Sequence, residues 1–227
     1  MLDNLFKVIF VSPARAKIVL VLLTTLSWLS SLHTNIFPVD TEWLVEKNFI
    51  LHQSPVPLRT IWLDFSTQTR LILGAEYLPI RDISVWLQLQ LFGHQWAWHH
   101  LFNLILYVLC VVLLYDVLLE LFKEHIHSWF CTLIFALHTT HIESVVWLAN
   151  HKDVLSLFFV LLSIRLFLKH PKGIVLCAPV GLIAYWSKNT AIVLPPLLFA
   201  LSFITKSARP KSIKWWCQWI PIALCFS

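Results

Sequence analysis

Residues 138–153, HTTHIESVVWLANHKD, place three histidines, two acids and a lysine in sequence otherwise apolar enough for a bilayer. An ionisable group at membrane depth costs about 2.5 kcal/mol or more unless it faces a cavity or finds a partner. Such a cluster points to a polar cavity, and its residue types allow proton transfer, metal ligation or the binding of a phosphate. His138, His141 and Glu143 follow at i, i+3 and i+5. On an unbroken helix the two histidines share a face and Glu143 turns away, so a cavity wall or hydrogen-bonded histidines is the plainer reading than a tridentate metal site.

Two further groups of residues carry chemistry. Asp40 and Glu42 follow the first apolar run: either they are solvated, or one is a general base for an acceptor hydroxyl. Lys152, beside Asp153, together with Arg81 and Lys188, offers fixed cations to a phosphate, the alternative being side chains that snorkel to headgroups. Lys188 interrupts an apolar run, as a hairpin tip or a cavity residue does. Asp116 stands alone in the middle of an apolar run and is expected to pair with Arg165 or a histidine.

The elements that must position these groups are membrane helices. The 227 residues are 58% hydrophobic and 13% charged, against about a quarter charged in soluble domains. Against a span of about 20 residues, the apolar runs predict helices near 17–37, 99–122, 129–149, 153–169, 174–188 and 190–205. The expected fold is an all-α polytopic membrane bundle of about six spans, with residues 215–227 as a partial seventh or an interfacial segment. Its parts are a cytoplasmic segment 1–16, a first helix 17–37 kept as an anchor, an outer loop 38–98, a bundle 99–205 and a basic cytoplasmic loop 206–214. Most of the 17 Lys and Arg residues then fall on the N-terminal, cytoplasmic side.

The 38–98 loop is expected to hold interfacial helices. TEWLVEKNFIL and LPIRDISVWLQLQLF set charges opposite apolar residues, and Trp43, Trp62, Trp86, Trp96 and Trp98 suit the headgroup level. Five cysteines stand singly without CxxC spacing, which speaks against a disulfide framework or a cysteine zinc site. No basic stripe is left for nucleic acid. Membrane lipids are the expected surroundings.

Four segments occur in order: DTEWLVEKN after the first run, YLPIRDISVWLQLQLFG before HHLFNLIL, then FALHTTHIESVVWLANHKDVLSLFF, and SKNTAIVLPPLLF. Over residues 18–205 this series resembles the N-terminal membrane half of the transmembrane and tetratricopeptide-repeat O-mannosyltransferases and their bacterial relatives. Those are polyprenyl-phosphate-dependent glycosyltransferases of the GT-C class. The resemblance implies a partial GT-C module in a bacterial inner membrane, or the endoplasmic reticulum of a eukaryote. It implies Asp40 as the base, His141 and Glu143 at the acceptor or sugar, and Lys152 with Lys188 at the phosphate of a polyprenyl-phosphate donor. Asn48, His99 and Asn103 are implied to be structural.

The chain departs from that pattern at four places. It has Asp40-Thr41 where two acids usually adjoin, Leu78 where a basic residue precedes proline, Thr139 where proline follows histidine, and His151 where arginine stands. These departures motivate a second reading, a catalytically silent scaffold or accessory subunit of a larger membrane complex. A third is a membrane protein binding a divalent metal or a cofactor through His94, His99, His138 and His141.

Overall fold

The structure, a computed structural model, describes residues 12–34, 40–169 and 173–204. The expected segments at 206–214 and 215–227, and most of 1–16, lie outside these residues. The described residues are all-helical, without a strand.

Helix α1 (Pro13–Trp28) opens at Ser12, whose Oγ accepts from the Arg15 N–H at 3.3 Å, with Pro13 at the first position, where a missing N–H costs nothing. A 3-10 turn, Leu29–His33, extends it. Ala16, Leu20, Thr24 and Trp28, four residues apart, form its buried stripe. Ile18, Leu22 and Leu26 point outward, as on a lipid-facing side.

Residues 40–98 pack around a core of their own. A π turn (Glu42–Glu46) leads to α2 (Leu58–Leu63), α3 (Thr67–Ile72) and α4 (Pro79–Phe92). Leu44, Ile50, Ile61, Leu73 and Leu89 meet there, joined by Ala149 from further along the chain. Burying each large aliphatic side chain contributes about 1.5–3 kcal/mol, so this segment is a packed unit. Asn48 ties it together: its amide donates to the Leu44 and Ile72 carbonyls, and its Oδ1 accepts from the Ile50 and Leu51 N–H groups. Position 74 takes glycine for two reasons: its φ is +90, and a Cβ there would lie 2.8 Å from Leu44 Cδ1 and 3.2 Å from Arg81 Nη1.

The bundle follows with α5 (Trp96–Phe122), α6 (His125–Leu137), α7 (Ile142–Val145), α8 (His151–Lys169), α9 (Gly173–Ser187) and α10 (Leu194–Ile204). α8 packs chiefly on α9 and α5, and α1 on α5 and α6. Two tryptophans tie α1 to α6: the Trp28 indole donates to the Ala136 carbonyl at 2.9 Å, and the Trp129 indole to the Ala16 carbonyl at 3.1 Å. Asp116 of α5 lies between Lys17 of α1 at 2.5 Å and Arg165 of α8 at 2.7 Å. The acid expected to need a partner has Arg165, and Lys17 besides.

The expectation of six spans is corrected. Among the described residues two helical stretches, Pro13–His33 and Trp96–Phe122, are long and apolar enough to cross a membrane; a third exists only if Thr139–Val145 and Leu148–Lys169, bent by 88°, count as one span. The apolar helices His125–Leu137, Leu176–Ser187 and Asn189–Ile204 are shorter. At 1.5 Å per residue, 13 residues reach about 20 Å against a hydrocarbon core of about 30 Å.

The single helix expected at 129–149 is also corrected, since the chain breaks after Leu137. His138 is extended, Thr139–His141 and Leu148–Asn150 are 3-10 turns, and only Ile142–Val145 between them is α-helical.

Candidate functional site

The break at 138–150 is held by polar groups. His138 Nδ1 accepts from the Thr140 N–H at 3.3 Å, an N-cap that starts the first 3-10 turn. Asn103 of α5 donates to the Ser144 and Val145 carbonyls at 2.9 and 2.8 Å, taking backbone acceptors that a continuous helix would use internally. Its Oδ1 lies 3.2 Å from Nδ1 of the buried His151 at the start of α8. His151 Nε2 lies 2.9 Å from Ser84 Oγ and 3.4 Å from Gln88 Nε2, both on α4. One imidazole thus joins α4, α5 and α8.

Beside this hub four charges alternate in sign. Lys152 Nζ contacts Glu76, and Lys188 Nζ contacts Asp153, which follows Lys152 in the first turn of α8. Ser144 of α7 donates to Asp153 Oδ2 at 3.5 Å. All four charged side chains are between a sixth and a third exposed, so the cluster lies at the protein's surface and not in its core. Lys188 occupies the tip between α9 and the 3-10 turn Asn189–Val193. Trp186 packs edge-on against Trp62, at 4.9 Å between rings, and Tyr77 donates to the Trp62 carbonyl, which brings Glu76 to this corner. An anion with more charge than a carboxylate could compete for both ammonium groups.

The other expected site residues distribute as follows. Arg81 is 2% exposed; its Nε donates to Asp82 Oδ1 at 2.7 Å and its Nη2 to the Leu73 carbonyl, so it braces the 40–98 segment and is not a member of the Lys152 or Lys188 ion pairs. Burial pushes the Asp82 carboxyl up to about 6 against the pull of Arg81. Asp40 is half-buried, and its carbonyl accepts from the Leu44 N–H. Glu42 pairs with the exposed Lys47, whose pKa is raised by that carboxylate. His141 packs on Phe135 and Tyr107, at 4.4 and 5.6 Å between rings, with His138 6.3 Å away; Glu143 is exposed on α7. His99 Nε2 lies 3.0 Å from the Gly93 carbonyl. Among the described residues no three His, Cys, Asp or Glu side chains come together as metal ligands would.

Glu76, Ser144, Ser84 and Gln88 were not singled out from the sequence. Nothing in TRLILGAEYLP marks Glu76 as a partner of a residue 76 positions later. For His151 a signal existed, a third histidine beside the lysine of the polar segment.

A cavity of about 420 Å³ lies on the other side of α7, between the end of α1 and the break. Ser27, Ser30, Ser31 and Thr34 form one wall, and Thr139, Ile142 and Val146 the other.

No protein-family profile matches the chain, and no solved structure does. A protein O-mannosyl-transferase of Caenorhabditis elegans is 21% identical over 216 residues, covering 92% of this chain and 31% of that protein. The chain therefore spans about a third of the length of the relative it resembles.

Proposed function

We propose that this chain forms the membrane part of a glycosyltransferase that moves a mannose-like sugar from a polyprenyl-phosphate donor to a hydroxyl of a protein or glycan. The observation that carries it is the pairing of Lys152 and Lys188 with Glu76 and Asp153 at one end of the bundle, in a chain similar along almost all its length to a protein O-mannosyl-transferase. In this reading the acceptor oxygen attacks the anomeric carbon and the bond from that carbon to the phosphate oxygen breaks. Asp40 takes the acceptor proton, the configuration inverts, and the polyprenyl phosphate leaves against Lys152 and Lys188, where a fixed cation lowers the barrier most. Glu42, His138, His141 and Glu143 border the sugar and acceptor. The site operates in a multi-pass membrane protein with its N-terminus cytoplasmic. The test is transfer by the purified chain with a synthetic polyprenyl-phosphate mannose: Asp40→Asn loses it, and an Asp40→Asn protein with undiminished transfer overturns the reading.

A second reading has its own observation. Lys152, Lys188 and Glu42 are each already neutralised by a neighbour, as in a fold kept for assembly without substrate. It predicts that the chain co-purifies stoichiometrically with a larger membrane complex and binds no donor, which native mass spectrometry in detergent decides.

A further inference from the structure

The charges that join α1, α5 and α8 do not balance. Asp116 takes Lys17 on one carboxylate oxygen at 2.5 Å and Arg165 on the other at 2.7 Å, so two cations share one anion. The side chains of Lys17 and Arg165 are 28% and 33% exposed, and that of Asp116 only 9%. The triad therefore carries one positive charge in excess, in a mostly buried place. At membrane depth such a charge is costly until an opposite one joins it.

Asp116 also ends an open apolar stripe. Ile105, Leu109, Val112 and Asp116 follow one another at four, three and four residues, which puts them on one face of α5. Ile105 and Leu109 are 52% and 44% exposed, and Val112 is half-buried. α1 and α8 both pack on α5, and each sends its cation to Asp116. The stripe thus starts from a cationic head built by three helices.

The geometry points to this head and stripe as a binding site for one anionic phospholipid, its phosphate taken by Lys17 and Arg165 and an acyl chain laid along Val112, Leu109 and Ile105. The two nitrogens lie within about 8 Å of each other, since one carboxylate joins them, and a phosphate group can take a hydrogen bond from each. Both side chains have the donors for it: an ammonium has three and a guanidinium five. The depth fits as well. Lys17 is four residues from the start of α1 and Asp116 six from the end of α5, about 6 and 9 Å along helices long and apolar enough to cross a membrane. Long basic side chains at that depth carry their heads toward the headgroups, and basic pockets between membrane helices hold anionic lipids in this way. A zwitterionic lipid brings a cation of its own, which the excess charge repels. A free phosphate gains nothing from the stripe.

This site is separate from the charged corner. Arg165 is 13 residues along α8 from Lys152, about 20 Å. The binding of a phospholipid there rests on neither reading of function proposed above.

The test is native mass spectrometry of the full chain in detergent, with dioleoylphosphatidylglycerol and dioleoylphosphatidylcholine offered in equal amounts. One phosphatidylglycerol per chain should be retained, in preference to phosphatidylcholine. Lys17→Gln and Arg165→Gln should each weaken its retention about tenfold, the usual effect of losing one hydrogen bond to a charged group. Each of these variants keeps one balanced ion pair on Asp116, so folding is not at stake. Lys123→Gln removes a well-exposed cation outside the triad and should leave retention unchanged. Equal retention of the two lipids, retention indifferent to both triad substitutions, or displacement of the lipid by inorganic phosphate overturns the site.

Discussion

Asn103 Oδ1 lies 3.2 Å from His151 Nδ1, and through that contact one side chain of α5 holds both the break in the chain and the helix that follows it. Asn103→Leu keeps the volume and removes the hydrogen bonds to Ser144, Val145 and His151. Two carbonyls and an imidazole nitrogen are then left buried, each worth about 1 kcal/mol or more. Thermal unfolding in detergent should show a loss of about 2–4 kcal/mol. Unchanged stability would mean that the break is set elsewhere.

Lys152 and Glu76 allow function to be separated from folding. Lys152→Ala should lower sugar transfer by about 100- to 1,000-fold, the usual effect of removing one fixed group from a developing negative charge. The double charge swap Glu76→Lys with Lys152→Glu should restore the unfolding temperature lost in either single variant and leave transfer low. Transfer rescued by the swap would show that only the ion pair matters.

Asp82 sets a pH dependence of stability. Its carboxyl is ordinarily near 3.8 and burial raises it to about 6, so between these values the folded chain holds a proton that the unfolded chain has released. This group's contribution is full below about pH 4, falls as the pH rises and is gone above about pH 6. The unfolding temperature of Asp82→Asn minus that of the parent, followed from pH 4 to 7, should therefore rise to about pH 6 and then level. A flat difference would show that Arg81 keeps Asp82 ionised throughout.

Asp116 between Lys17 and Arg165 predicts a structural loss. Asp116→Asn strands two cations beside an amide; breaking a buried pair costs about 3–5 kcal/mol, and the partial exposure of Lys17 and Arg165 lowers that to about 2 kcal/mol. Chemical unfolding in mixed micelles checks it, and Arg165→Gln in the same background should recover part of the loss.

Helical class and the long apolar segments were legible because apolar runs of 16 to 27 residues are strong signals, as at α1, α5 and α8. The Asp116 to Arg165 pair was legible for a simple reason: a lone acid in such a run has to find a cation. The break was hidden because residues 129–149 contain neither Gly nor Pro, and what ends the helix is His138 capping Thr140 locally and Asn103 arriving from 41 residues away. The number of spans was overread for a related reason, since apolar composition measures how a residue is buried and not how far the helix carrying it runs. Glu76 and Asp153 as partners of the two lysines depend on how residues 40–98 fold back, which no local spacing records.

The two indole hydrogen bonds between α1 and α6 work like bolts at either end of a strut. A slide of one helical turn, about 5.4 Å, would break both at once, and a hinge at either end is stopped by the other. The wall formed by Ser27 to Thr34 is carried on the end of this strut. The opposite wall, the short turns from Thr139 to Val146, is clamped in turn by Asn103 at the Ser144 and Val145 carbonyls, so both walls of the hydroxyl-lined cavity are fixed to the bundle by side-chain hydrogen bonds to backbone carbonyls.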